Sequence, residues 1–138
     1  MRQMRNKHYS IEDFSQAIQK AEEFKGGFDR ISDSVLITDE DGVILYANDA
    51  TFENTGFARE DVLGRTPGEL WGNQKDDSFY EYMWETIKID KKPFETVMTN
   101  KRKDGTYYGC NLKIYPILDD NEEITFFVGI TSNFTETI

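Results

Sequence analysis

The chain is short of the residues that carry most enzyme and metal chemistry. It has one cysteine, Cys110, and one histidine, His8, in 138 residues. One thiol cannot form an intramolecular disulfide, and a reducing, cytoplasmic compartment fits that usage. With a single histidine near the N-terminus there is no Cys–His pair and no internal imidazole base. A G-x-S-x-G segment and a phosphate-binding glycine loop are missing too. No apolar run is long enough to span a bilayer, and no signal-peptide core follows Met1. Basic residues are scarce, 16 against 26 acidic, and the net charge of −10 argues against nucleic acid or an anionic membrane as partner. The acidic residues crowd into turns such as Asp39 to Asp41 and Asp119-Asp120, without the spacing of a calcium loop. This inventory assembles no active site, so no enzyme is expected.

What is present is enough apolar and aromatic residue, 38% and 14%, for one core. The organising stretch is Ser34 to Asn48. Val35 to Thr38 suits a pleated, buried surface, Asp41-Gly42 supplies a hairpin turn, and Val43 to Tyr46 returns. Asn48 then caps a short helix that Gly56 stops, and Arg59 to Leu63 adds one more turn closed by Gly64. Arg65 to Gln74 reads as loop with at most one helical turn, anchored by Trp71. Asp76 to Ile89 reads as the longest helix of the body, with an acidic capped start and Phe79, Met83 and Ile87 repeating every four residues. Three strands follow, over Phe94–Lys101, Thr106–Leu118 and Glu123–Phe134, joined by turns at Lys103-Asp104-Gly105 and Asp119-Asp120-Asn121. The expected fold is α+β: a five-stranded antiparallel sheet with short helices and one long helix on one face. Ahead of it, Ser10 to Phe28 has heptad-like apolar spacing and predicts an amphipathic helix. That helix either covers one side of the domain or pairs with its copy in a homodimer. The organisation is therefore a helix and tail over 1–27 and a domain over 28–138.

From Phe28 to Ile138 the chain resembles a PAS domain. The hairpin from Ser34 through Asp41-Gly42 to Asn48 is similar to the family's opening, and Phe52 to Phe57, FENTGF, to its F-x-x-x-T-G-[FY] segment. Glu60 to Arg65 resembles the E-E-[LV]-[LI]-G-[RK] turn, Asn100 to Gly105 the N-x-R-K-D-G hairpin, and Pro116 the strand-ending proline. Gly129 to Glu136 resembles the G-x-x-x-D-I-T-E ending, with Asn133 in place of the usual Asp. The resemblance implies a sensory and dimerisation module whose small-molecule site lies between the long helix and the sheet. It also implies an effector (a histidine kinase, a cyclic-dinucleotide enzyme or a transcription regulator) beyond this stretch.

The same resemblance sorts the cofactors. Haem-binding members ligate iron through a histidine on the long helix, and Asp76 to Ile89 has none. The blue-light branch carries G-R-N-C-R-F-L-Q where this chain has Gly64-Arg65-Thr66-Pro67-Gly68-Glu69-Leu70-Trp71. Pro67 stands in the place of its reactive cysteine, so covalent-adduct FMN is not expected. Thr131 stands where that branch has its flavin-sensing Gln. Non-covalent FAD stays open. Asn100 matches an Asn at the isoalloxazine edge of flavin-binding members, and Trp84 matches a Trp of redox-sensing, FAD-binding members. Each has a plain alternative: Asn100 shapes a turn, and Trp84 fills the core. Alternation in the second long strand puts Tyr108, Cys110, Leu112 and Ile114 on one face, which by analogy lines the site, with Cys110 as a small buried hydrophobe. Leu36 and Thr38 are expected to face it from the first strand. The expected site is thus Leu36, Thr38, Trp84, Asn100, Cys110, Leu112 and Thr131. Two functions remain in view: a ligand-sensing module, and a ligand-free dimerisation or interaction module whose interior is filled by Phe79, Met83, Trp84, Phe126 and Phe127.

Overall fold

The computed structural model describes residues 33–71 and 75–133, and places Ser15, Gln16 and Gln19 in helix. Apart from those three residues, the expected N-terminal helix over Ser10–Phe28 and its dimer role lie outside the described residues. So do the residues from 29 to 32 and the chain from 134 on.

Five strands and four helices follow in order: β1 (Ser34–Thr38), β2 (Ile44–Ala47), α1 (Asp49–Thr55), α2 (Arg59–Val62), α3 (Pro67–Trp71), α4 (Asp77–Trp84), β3 (Phe94–Lys101), β4 (Tyr107–Leu118) and β5 (Ile124–Asn133). The sheet order is β2-β1-β5-β4-β3, with every neighbouring pair antiparallel. β2 and β3 are opposite edges, so the helices that connect them cross a whole face of the sheet. The other face is apolar as well. Val35, Ile37, Phe126, Val128 and Ile130 form a buried cluster there. Burial on both faces is why Phe126 to Val128 reads as an unbroken apolar run rather than an alternation.

The first hairpin is joined to α1 by one side chain. Beyond Ala47 the β2 backbone turns away from β1. The Asn48 N–H donates to the Val35 carbonyl at 3.1 Å, and Asn48 Oδ1 accepts from the Val35 N–H at 3.0 Å. The amide oxygen thus stands where a further β2 carbonyl would extend the ladder. The same oxygen accepts from Thr51 N at 3.3 Å as the N-cap of α1, and Nδ2 donates to the Asp33 carbonyl at 3.0 Å. At its other end α1 stops at Gly56, which takes φ 81 and donates its N–H to the Phe52 carbonyl. The last carbonyls of α1 are taken by the distant β3–β4 turn: Lys103 N–H donates to Thr55 O at 2.8 Å, and Arg102 Nε to Asn54 O at 3.1 Å. The Asn-Lys-Arg-Lys-Asp-Gly segment is therefore a clasp between the far hairpin and α1.

The acidic turn residues have structural work. Asp39 Oδ1 accepts from the N–H groups of Asp41 and Val43, Asp104 Oδ1 from Thr106 N and Oγ1, and Asp119 Oδ1 from Asn121 N and Glu123 N. Each carboxylate replaces a missing backbone acceptor at a tight turn. The β4–β5 turn closes without glycine, on Glu122 at φ 64.

The expected single helix over Asp76–Ile89 is observed as α4 followed by a π-helical turn, Glu85–Ile89. Asp76 caps it, accepting from Phe79 N at 3.0 Å. The Asp90 N–H reaches the Glu85 carbonyl at 2.9 Å, five residues back. A reason lies in the apolar spacing. Residues every four positions drift around a helix of 3.6 residues per turn, and a wider turn returns Ile87 to the sheet beside Met83, Phe94 and Phe127.

Two outcomes follow from these connections. Asn48→Ala lowers the unfolding free energy by about 1–2 kcal/mol in denaturant titration. Asn48→Asp does not restore it, because a carboxylate oxygen then faces the Asp33 carbonyl. In acid, backbone N–H groups of Glu123 and Asn121 hold Asp119 below its ordinary pKa of 3.8, and Thr106 does the same for Asp104. A depressed folded pKa contributes stability above the unfolded value. The thermal midpoint therefore declines as pH falls below about 4, and Asp119→Asn flattens that decline.

Candidate ligand-binding site

Between the helices and the sheet lies a cavity of about 440 Å³. This is within the usual range for small-molecule sites, roughly 300–1,000 Å³. The sheet supplies its floor through side chains of one parity. Leu36 is in register with Gly129, and Gly129 with Ile114. Ser34 pairs with Thr131, and Thr131 with Leu112. From the edge, Met98 and Asn100 of β3 and Tyr108 of β4 complete it. α4 and its π turn form the roof through Tyr80, Met83, Trp84 and Ile87. Trp84 meets the Phe127 ring edge-on at 5.8 Å, and its six-membered ring closes against the β1–β2 turn. A Cβ on Gly42 would stand 3.5 Å from Trp84 Cη2, and Gly42 has φ +88. The positive φ of the turn favours glycine there, and a Cβ would meet the indole only at ordinary van der Waals distance.

The space exists because the centre of the floor has no side chain. A Cβ added to Gly129 would meet nothing within 4 Å. Above that point the lining is apolar, with a few polar groups among it. Thr131 is 8% exposed, and among the described residues its hydroxyl has no hydrogen-bond partner. Asn100 is in register with Tyr108, whose hydroxyl burial holds above the ordinary tyrosine pKa of 10.0. Thr38 Oγ1 already donates to the Asp39 carbonyl at 2.9 Å, leaving it only as an acceptor. Ser34 is spoken for: Thr51 Oγ1 donates to Asn48 Oδ1 at 3.1 Å, so Ser34 is the donor in its 2.6 Å contact with Thr51.

Of the residues expected from the sequence, Leu36, Thr38, Trp84, Asn100, Leu112 and Thr131 all line this cavity. Cys110 does not. It shares the inward parity, but its short side chain turns back into the sheet, with Sγ donating to the Met98 carbonyl at 3.5 Å. Its partner Met98 reaches the cavity instead. Complete burial pushes the Cys110 thiol up to about 11. Sequence reasoning missed Gly129, Met98 and Ser34. The signal was in the alternation Phe127–Gly129–Thr131 and Met98–Asn100, read against the neighbouring strands. A second depression, of about 560 Å³, runs along the exposed side of α4 from Asp77 to Ile89 and is lined by that helix and turn alone. Among the described residues it is a surface groove with no opposing wall.

Among the described residues no group of three or more His, Cys, Asp or Glu side chains is arranged to hold a metal ion. No helix among them is long and apolar enough to cross a membrane.

Comparison with known proteins places this architecture. The chain is 28% identical to the solved LOV domain of a blue-light activated histidine kinase from Erythrobacter litoralis. That match has a TM-score of 0.64 and covers 74% of this chain and 95% of that domain. A blue-light photoreceptor of Listeria monocytogenes is 37% identical over 105 residues, 73% of this chain and 40% of that protein. A nitrogen fixation regulatory protein of Klebsiella oxytoca is 28% identical over 102 residues, 74% of this chain and 20% of that protein. The chain thus spans well under half the length of these curated relatives. A family model described as PAS domain matches residues 32–136. With its five-stranded antiparallel sheet and the helices laid across one face, the chain belongs to the PAS domain family.

Proposed function

We propose that this chain is the cytoplasmic sensory input of a signalling protein. It holds a small molecule between α4 and the sheet and passes occupancy, through a dimer formed over Ser10–Phe28, to an effector elsewhere. The observation that carries this reading is the void over Gly129 with the buried, unpartnered Thr131 hydroxyl beside it. A buried hydroxyl without a partner costs free energy that a ligand's polar edge recovers. A ligand-free interaction module has less support. The bulky residues at Phe79, Met83, Trp84 and Phe127 pack together and still leave the cavity open. The relatives that act in light-driven and nitrogen-fixation regulation support a regulatory role over a catalytic one.

A flavin is the second reading, because Trp84 and Asn100 line one cavity and two of the relatives are blue-light proteins. The residues fit such a group in part. The aromatic wall and the Asn100 amide suit a ring system, whether of FMN or FAD. The phosphate-bearing part finds no cation among the described lining residues. A bound flavin would supply redox or light-absorbing chemistry. This chain's own part would be to clamp the ring between Trp84 and the floor, exclude water, and offer hydrogen bonds from Asn100 and Thr131. A thiol adduct has no partner here, since Pro67 lines the cavity and Cys110 does not.

The tests are an absorption spectrum of the purified protein and mass spectrometry of what denaturation releases. A small molecule is expected in the wild type. Gly129→Leu, which fills the void from the floor, should fold with a native circular dichroism spectrum and lose that molecule. Gly129→Ala should gain about 0.5–1 kcal/mol in stability, the usual difference between the two residues in a strand. An equally loaded Gly129→Leu protein removes the proposed site. Cys110 should resist iodoacetamide in the native state at pH 8, well below its pKa of about 11, and react once denatured. Native labelling would place the thiol in reach of the cavity after all.

A further inference from the structure

The cavity has an apolar body and a hydrogen-bonding floor, and among the described residues its charges are all of one sign. Among the described residues its charged lining members are Asp41 and Asp77, both exposed, with no Lys, Arg or His. Nearby cations are engaged elsewhere. Arg65 Nε bonds Glu69 Oε1 at 3.1 Å, Lys75 lies over the Phe79 ring at 5.5 Å, and Lys88 lies over the Trp84 ring at 5.3 Å. Arg102 donates to the Asn54 carbonyl and stacks on Tyr108 at 4.6 Å.

Helix starts are the other usual home of a phosphate, and two of them reach this lining. Both are filled by the chain itself. At α4, Asp76 Oδ1 takes the Phe79 N–H at 3.0 Å, and Asp77 follows it in the first turn. At α3, Glu69 Oε1 takes the Thr66 N–H at 3.0 Å, and Thr66 Oγ1 takes the Glu69 N–H at 3.3 Å. The first residue of α3, Pro67, has no N–H to offer. An anionic ligand would therefore leave water for a site with two carboxylates at its exposed rim and, among the described residues, no compensating donor charge.

From this one-signed lining we infer that the ligand is a flat ring compound without a phosphate or carboxylate, neutral or carrying a cationic substituent toward Asp77. Its polar edge meets Asn100 and Thr131. The inference rests on the cavity being a ligand site.

Matched probe pairs test it, with affinities measured on the full chain at low ionic strength by fluorescence or thermal shift. Riboflavin against FMN compares one ring with and without a phosphate. Tryptamine against indole-3-acetate compares one ring with opposite charges. The uncharged or cationic member of a pair should bind at least about tenfold more tightly, and the gap should narrow with added salt. Asp77→Lys, at an exposed position, should shrink or reverse it. Equal or tighter binding of FMN or indole-3-acetate to the wild type overturns the inference. If neither pair binds, the molecule released from purified protein decides. A phosphate or carboxylate on it refutes the inference and leaves the sensory reading standing, while a neutral or cationic ring supports it. No probe binding and no released molecule sink both.

Discussion

The structure depends on a single primary amide. Asn48 closes the β1–β2 ladder with its side-chain oxygen, caps α1 with the same atom, and holds the Asp33 carbonyl with its nitrogen. Only a group with an acceptor and a donor at fixed separation does all three. The consequence is geometric. The chain leaves the edge strand and enters a helix within one residue, so α1 starts against β1 and the following helices are committed to the same face of the sheet. Every later element that encloses the cavity inherits its position from that departure.

Enclosure and emptiness are then balanced by different residues. The walls use large side chains, and the β1–β2 turn beside Trp84 needs glycine at position 42 for its φ of +88. The floor is emptied by glycine at 129. Protein interiors ordinarily fill space of this size, because unfilled volume forfeits dispersion contacts. A domain that keeps such a void, with a threonine hydroxyl unmet inside it, has given up stability at one place in its core. In proteins such concessions concentrate at functional sites.

Much of this was legible in the sequence, and the reasons differ by residue. β3 matched to the residue, and the turns were readable because Asp-Gly pairs and isolated Asp residues have few other uses between apolar runs. The role of Asn48 as a cap was visible; its role in the ladder was not, since that depends on which strand lies beside it. The four-residue spacing of Phe79, Met83 and Ile87 announced a helix but not the widened turn that accommodates the spacing. Parity and resemblance brought together six residues that line one cavity. Cys110 shares their parity and is absent from the cavity lining, because parity gives the direction of a side chain and says nothing of its reach. Gly129 was missed because residues are sought for what they contribute, and this one contributes an absence.

The clasp between the far hairpin and α1 has a consequence for how the domain tolerates change. Arg102 and Lys103 grip main-chain carbonyls of Asn54 and Thr55. Main-chain acceptors are the same whatever residue supplies them, so this contact is blind to side-chain drift at position 54. Sequence variation there leaves the two ends of the domain fastened. The constraint falls instead on Arg102, whose guanidinium spans the gap and also bonds Thr106. The two partners of one contact are thus free to vary to very different degrees.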